Sequence, residues 1–279
     1  MLRLSDSVLE QLLNEDVPFG DLTSTALAIG ERSGRMRFVA RTAQVLCCVE
    51  EAVRLIELAG GQARAECRTG AQVAAGTWIL EAEGAAGALL AAWKVAQNLI
   101  EATSGIATAV RALVAAAERG GGAVIACTRK NFPGTKLLAI KAVQAGGGVP
   151  HRLGLSDSIL MFPEHRVFLQ ENLADAVARL RSGYPEKKVV AEVNTPEEAL
   201  ALAQAGIDVV QLEKFPPEQV AVVVQSFASL DRPPLVAAAG GVVVTNAEAY
   251  VRAGAQILVT SSPYWAKPTE VAVTIEAVG

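Results

Sequence analysis

Ala123-Val124-Ile125-Ala126-Cys127 runs directly into Thr128-Arg129-Lys130-Asn131-Phe132-Pro133-Gly134-Thr135-Lys136. After a helix-length segment the chain continues as Gly146-Gly147-Gly148-Val149-Pro150-His151-Arg152-Leu153-Gly154-Leu155-Ser156-Asp157. The apolar run reads as a buried strand, and the residues after it are unusually cationic. Arg129, Lys130, Lys136, Lys141 and Arg152, with His151, fall within 24 positions. A folded helix between the two halves would bring them back toward each other. Such a cluster repels itself until a polyanion arrives, so a phosphate-rich ligand is the natural reason for it.

Outward from this stretch the pattern repeats. Apolar strand-like runs recur at 158–162, 188–193, 209–212, 234–238 and 257–260, with helical segments at 172–180, 196–205 and 217–227 between them. Strands alternating with helices predict parallel pairing through right-handed crossovers. The even spacing favours a closed or nearly closed α/β barrel, which keeps its chemistry at the carboxyl ends of its strands. Those ends carry Thr128-Arg129-Lys130, then Phe162 before Glu164-His165, then Glu192-Val193-Asn194. Gln211-Leu212-Glu213-Lys214, Ala239-Gly240-Gly241 and Thr260-Ser261-Ser262 complete the rim. Each has a use: Arg129, Lys130, His151 and Arg152 against a diphosphate; Glu192 and Glu213 for Mg²⁺ or a positive sugar centre. Gly240-Gly241, before a helix capped near Thr245, would offer backbone N–H groups to a phosphate, with Thr260, Ser261 and Ser262 adding hydroxyls.

Before this region the chain alternates short strands (35–40, 44–49, 63–67, 77–82) with helices (from Ser5 or Asp6, and 50–58), the size of a small α/β domain. Gly87 to Arg119 is a long Ala- and Leu-rich helical stretch with a candidate break at Ser104-Gly105. Lys94, Gln97, Asn98 and Glu101 share one face of it, either solvated or making a domain or subunit contact.

Composition narrows the classes. The 279 residues are 51% hydrophobic, enough for a sizeable core, and the net charge of −4 argues against non-specific nucleic-acid or anionic-membrane binding. No apolar run approaches the roughly 20 residues that cross a bilayer. Met1 to Asp6 lack a secretory signal's apolar core, and Cys47, Cys48, Cys67 and Cys127 show no C-x-x-C spacing. Buried free thiols and a cytoplasmic location are expected.

The residues Thr128-Arg129-Lys130, Pro133-Gly134, Gly146-Gly147-Gly148, His151-Arg152 and Gly154-Leu155-Ser156-Asp157 resemble the signature of quinolinate phosphoribosyltransferases, the nicotinate-nucleotide pyrophosphorylases. Gly20-Asp21-Leu22-Thr23, Asn98, Ser104-Gly105-Ile106-Ala107-Thr108, Glu192, Gln211-Leu212-Glu213 and Gly240-Gly241 extend the likeness over nearly the whole chain. Residues 128–136 and Thr260-Ser261-Ser262-Pro263-Tyr264 resemble more closely the ModD-type branch, pyrophosphorylases associated with molybdenum transport.

The resemblance implies an N-terminal open-faced α/β sandwich domain over 1–108 and a C-terminal α/β barrel over 109–265, a type II phosphoribosyltransferase-like fold. The tail 266–279 becomes a candidate to pack on the first domain. It implies a homodimer in which one N-terminal domain covers the partner's barrel mouth. Phosphoribosyl diphosphate is the implied donor, Mg²⁺ the implied cofactor, and a small heteroaromatic base the acceptor. Lys94, Arg129, Lys130, His151, Arg152 and Phe162 would face the acceptor or diphosphate, and Lys130 would assist catalysis. Glu192 and Glu213 would lie near metal and ribose, with Gly240, Gly241, Thr260 and Ser261 near the 5′-phosphate.

The chain also departs from the family pattern. Quinolinate enzymes carry arginine at the position of Lys94, lysine at Phe162, aspartate at Glu213, and glutamate and serine at Ala237 and Ala239. Lys94 keeps the charge without the bidentate fork. Phe162 removes a cation from a pocket built for two carboxylates, and a buried charge stripped of its partner costs about 3–5 kcal/mol. The expected acceptor therefore carries fewer anionic groups than quinolinate. The rival readings are an authentic decarboxylating quinolinate phosphoribosyltransferase of NAD biosynthesis, a Schiff-base aldolase using Lys130 or Lys214, and a donor-binding protein without turnover linked to molybdenum uptake.

Overall fold

The structure, a computed structural model, describes residues 2–278, so Met1 of the N-terminal reading and Gly279 of the tail lie outside it. The chain forms two compact units. Among the described residues the first comprises 2–111, 132–147 and 263–278; the second comprises 112–131 and 148–262.

The first unit is built on a four-stranded antiparallel sheet. Ser33–Ala40 pairs on one side with Val271–Ala277 and on the other with Trp78–Ala85, which in turn pairs with Gln62–Ala65. Period-two alternation decides its faces. Met36, Phe38 and Ala40 point into the core with Leu80 and Ala82, where Leu55 and Ile56 of the helix Val49–Leu58 join the same cluster. Arg35 and Arg37 point the other way and meet Glu83 and Glu81, each through Nε at 2.8 Å, while Arg64 reaches Glu81 at 2.9 Å. The apolar face is covered by helices and the other is left charged. That is the open-faced sandwich.

One continuous helix, Ala86–Arg119, replaces the expected break at Ser104-Gly105. Gly105 does not end the helix; it admits a neighbour. A Cβ there would collide with the carbonyl of Lys267 and stand 3.1 Å from Pro268 Cα. Ser104 Oγ accepts the N–H of Cys47 at 2.9 Å. The helix is long and apolar enough to cross a bilayer by length and composition, but half of its most apolar window is buried. Its polar face is divided: Lys94 and Asn98 are exposed, while Gln97 and Glu101 hold another segment of the chain. Gln97 donates to the Val271 carbonyl at 2.7 Å, and Glu101 accepts from Val271 N–H at 2.8 Å. The segment 44–49, expected as one strand, pairs only at Gln44–Val45; Cys48 then turns into the left-handed region (φ +59°) and starts the helix Val49–Leu58.

The second unit is a seven-stranded sheet, parallel throughout. In spatial order its strands are Val149–Pro150, Val124–Cys127, Ile257–Thr260, Leu235–Ala239, Val209–Glu213, Val189–Val193 and Ile159–Met161. Among the described residues the two end strands do not pair, so the sheet is a parallel half-barrel rather than a closed one. Ala126, Val209, Ala237, Ala239 and Val259 form its inner cluster. Small side chains in these positions leave the carboxyl end open as a cleft.

Candidate functional site

The cleft at that end has a volume of about 290 Å³. Thr128, Arg129 and Lys130 reach it from the end of Val124–Cys127, and His151 and Arg152 from just beyond Val149–Pro150. Leu160 lies on Ile159–Met161 and Phe162 just after it, Glu192 on Val189–Val193, and Gln211 and Glu213 on Val209–Glu213. Ala239 to Val243 and Val259 to Ser262 close the circle. The parallel topology thus gathers Arg129, Lys130, His151, Arg152, Phe162, Glu192, Glu213, Gly240, Gly241, Thr260 and Ser261 around one space. Lys94 is not among the lining residues. It belongs to the first unit, where its ammonium lies over the Trp93 ring at 4.4 Å and donates to Gln97 at 3.0 Å.

Lys141, counted with the basic stretch by position, also lies elsewhere. It is 2% exposed in the first unit and its Nζ contacts both carboxylate oxygens of Glu51, at 2.5 and 2.6 Å. It completes a core rather than a site. Sequence proximity could not reveal this, because its partner is 90 positions away.

Like charges confront one another across the cleft. Burial and the neighbouring Arg129 charge lower the pKa of Arg152. Burial, then the Arg152 charge, lowers that of His151, so His151 is held neutral at pH 7. Burial pushes the Glu192 carboxyl up; the Gln211 hydrogen bond opposes this and the Glu213 charge adds to it. The Arg152 guanidinium lies 5.5 Å from the centre of the Phe162 ring, which stacks on His165 at 5.8 Å. His165 Nδ1 accepts the Phe162 N–H at 3.0 Å. Arg166, which sequence reasoning missed, donates to the Glu192 carbonyl and to Glu198, each at 3.2 Å, and fixes the end of that strand.

The glycine pair is shaped by the same carboxylate. Gly240 has φ +80°, and a Cβ there would lie 2.7 Å from Lys214 Cγ and 2.8 Å from Glu213 Oε1. Only glycine lets the turn and Glu213 share that space. The following helix is Val244–Arg252, capped at Val243, two residues ahead of the Thr245 cap expected from sequence. Asn246 secures its start: Oδ1 accepts the Val243 N–H at 2.8 Å and Nδ2 donates to the Gly241 carbonyl at 3.0 Å. Thr260 gives its hydroxyl proton to the Val242 carbonyl at 2.7 Å and accepts the Ser262 N–H at 3.1 Å. It pins the glycine turn and has no proton left for a ligand. Lys214 is exposed and does not line the cleft, and Lys130 is exposed at its rim. Neither has the desolvation that activates a Schiff-base lysine.

Residues 106–274 match the C-terminal domain of quinolinate phosphoribosyl transferase, and residues 21–104 match its N-terminal domain. The ModD protein of Rhodobacter capsulatus is 50% identical over 256 residues, covering 91% of this chain and 98% of its own. A nicotinate-nucleotide pyrophosphorylase (carboxylating) from Mycobacterium leprae is 32% identical over 255 residues, 90% of this chain and 89% of its own. The crystal structure of NadC from Streptococcus pyogenes superposes with a TM-score of 0.89 at 25% identity, covering 100% of both chains.

Proposed function

The chain belongs to the quinolinate phosphoribosyl transferase family as a ModD-like pyrophosphorylase, and from that premise we propose its reaction. Ribose 5-phosphate passes from phosphoribosyl diphosphate to a ring nitrogen of a heteroaromatic acceptor with fewer anionic groups than quinolinate. The bond from ribose C1 to the diphosphate oxygen breaks, the bond from C1 to the ring nitrogen forms, and diphosphate leaves. Arg129, Lys130 and Arg152 receive the leaving charge, and Glu192 and Glu213 face the positive ribosyl centre. Gly240 and Gly241 receive the 5′-phosphate. No side-chain nucleophile takes part.

Mg²⁺ fits this arrangement as a companion of the donor. Among the described residues no three acidic, His or Cys side chains form a cage, and Mg²⁺ in such sites is held by one or two carboxylates plus substrate phosphates. Glu192 and Glu213 would hold it, directly or through water, and it would neutralise the diphosphate. We place the enzyme in the cytoplasm, in keeping with four free thiols, and working as a homodimer.

The observation that carries the acceptor reading is Phe162. It stands in the cleft where a dicarboxylate would require a second cation, and it already engages Arg152 through its ring face. Incubation with phosphoribosyl diphosphate, Mg²⁺ and a panel of heteroaromatic bases should release diphosphate with a mono-anionic or neutral base and more slowly with quinolinate. Calorimetry showing no binding of the donor would sink the transferase reading; faster turnover of quinolinate than of any other base would sink the acceptor reading.

A further inference from the structure

Gln211 is 3% exposed and lines the cleft from the strand Val209–Glu213. Its Nε2 donates to Glu192 Oε2 at 2.6 Å. A carboxylate only accepts hydrogen bonds, so this contact fixes which end of the amide is nitrogen. The other end, Oε1, is a buried acceptor with no partner among the described residues. An unsatisfied buried carbonyl costs folding free energy, and the apolar residues that share the cleft, Leu160, Phe162, Ala239 and Val259, have no side-chain donor to offer it. A Leu or Met would fill the position without that cost. The strand retains an acceptor instead.

Depth decides which ligand meets it. Gln211 precedes Glu213 by two residues and so lies one layer further down the same face of the strand. It is in register with Glu192 on the neighbouring strand. The groups suited to phosphates, namely Arg129, Lys130 and the Gly240-Gly241 turn, come after their strands end, at the rim. The polyanionic donor is held there, and the small acceptor is what reaches the floor.

We propose that Gln211 Oε1 selects the acceptor: the base carries an N–H or O–H donor, such as an amino, hydroxyl or ring N–H group, that meets this oxygen while its ring lies against Phe162. This rests on the transferase reading and narrows its substrate class to hydrogen-bond-donating heteroaromatics. The neutral amide distinguishes such a ring from an isosteric methyl-bearing one, because only the methyl compound leaves Oε1 unpaired.

The test uses matched pairs of pyridine carboxylates that differ only by amino against methyl, taken at each ring position. Donor binding is measured first by calorimetry, so that failure of the transferase reading is recognised separately. With donor bound, the wild type should prefer the amino member of at least one pair by about tenfold or more, the equivalent of one buried hydrogen bond. Gln211→Met keeps the volume and removes the acceptor. It should abolish that preference without lowering the melting temperature, whereas a purely structural Gln211 would lower it. Because Glu192 also loses its partner in this variant, the ratio within a pair is the readout; effects on Glu192 cancel in it. Donor binding with no amino preference at any ring position, or a preference that survives in Gln211→Met, overturns the inference and leaves the transferase standing.

Discussion

In the first unit Lys141 meets Glu51 inside the core at 2.5 Å, and the open face of the sheet sets Arg35, Arg37 and Arg64 against Glu83 and Glu81. At the cleft of the second unit burial and then the Arg129 charge depress Arg152, burial and then the Arg152 charge depress His151, and burial, with the Glu213 charge adding to it, raises Glu192. Charge in the first unit is answered by the fold itself. The second unit has such pairs too, Arg166 with Glu198 and Arg252 with Glu248 among them, but around its cleft charge is arranged like against like, which leaves the counter-charge there for a ligand to bring. One pattern builds stability; the other stores affinity at some expense of it.

The sharpest way to break this contrast is Lys141→Met, which strands Glu51 in the core. It should destabilise the protein by about 3–5 kcal/mol, and the double replacement with Glu51→Leu should recover most of that, since apolar pairs substitute well for buried ion pairs. Urea unfolding reads both, and a loss below about 1 kcal/mol would remove the distinction between the units. Arg129→Met should do the opposite. Stability should stay within about 0.5 kcal/mol of the parent, while donor affinity by calorimetry weakens by about 1.5–3 kcal/mol for the lost charge-assisted bonds.

Gly240→Ala tests whether the turn and Glu213 form one device. Strain at the left-handed position should cost about 1–3 kcal/mol in stability, and donor affinity should fall with it because the added Cβ displaces Glu213. The smallest effect is in pH. His151 has a folded pKa below its ordinary 6.5, so the unfolded chain takes up the proton first as the medium acidifies. Stability conferred by the neutral ring is complete above that value and declines as pH falls below it. An anionic donor reverses the preference: its affinity should tighten over the same window, and His151→Gln should flatten that dependence.

Much of this could be read from the chain because parallel strands place their own ends together. Arg129, Phe162, Glu192, Glu213 and Gly240 each follow an apolar run, so the strand boundaries alone put them on one rim. What escaped reading depended on partners distant in sequence. Lys141 looked like a member of the cationic cluster because Glu51 cannot be inferred from spacing. Gly105 looked like a helix breaker because the Lys267 backbone packing against it is invisible locally. Thr260 looked like a phosphate donor until the Val242 carbonyl took its proton. Gln211 gave only the weak signal of a polar residue in an otherwise apolar strand, and its meaning came from the register that set it beside Glu192.

The strand Val271–Ala277 has a consequence for how the protein is made. It pairs along the whole of Ser33–Ala40, and Lys136–Ala145 adds Ala142 and Ala145 to the same core. The unit whose sequence leaves the ribosome first is therefore the last to be finished. Every strand of the parallel sheet has been synthesised by Thr260, before the edge strand of the antiparallel sheet at Val271–Ala277. During that interval the flank of Ser33–Ala40 is an unpaired template, the kind of edge on which nascent chains associate wrongly. Its alternating Arg35 and Arg37, which pair with glutamates in the finished sheet, also keep that waiting edge charged.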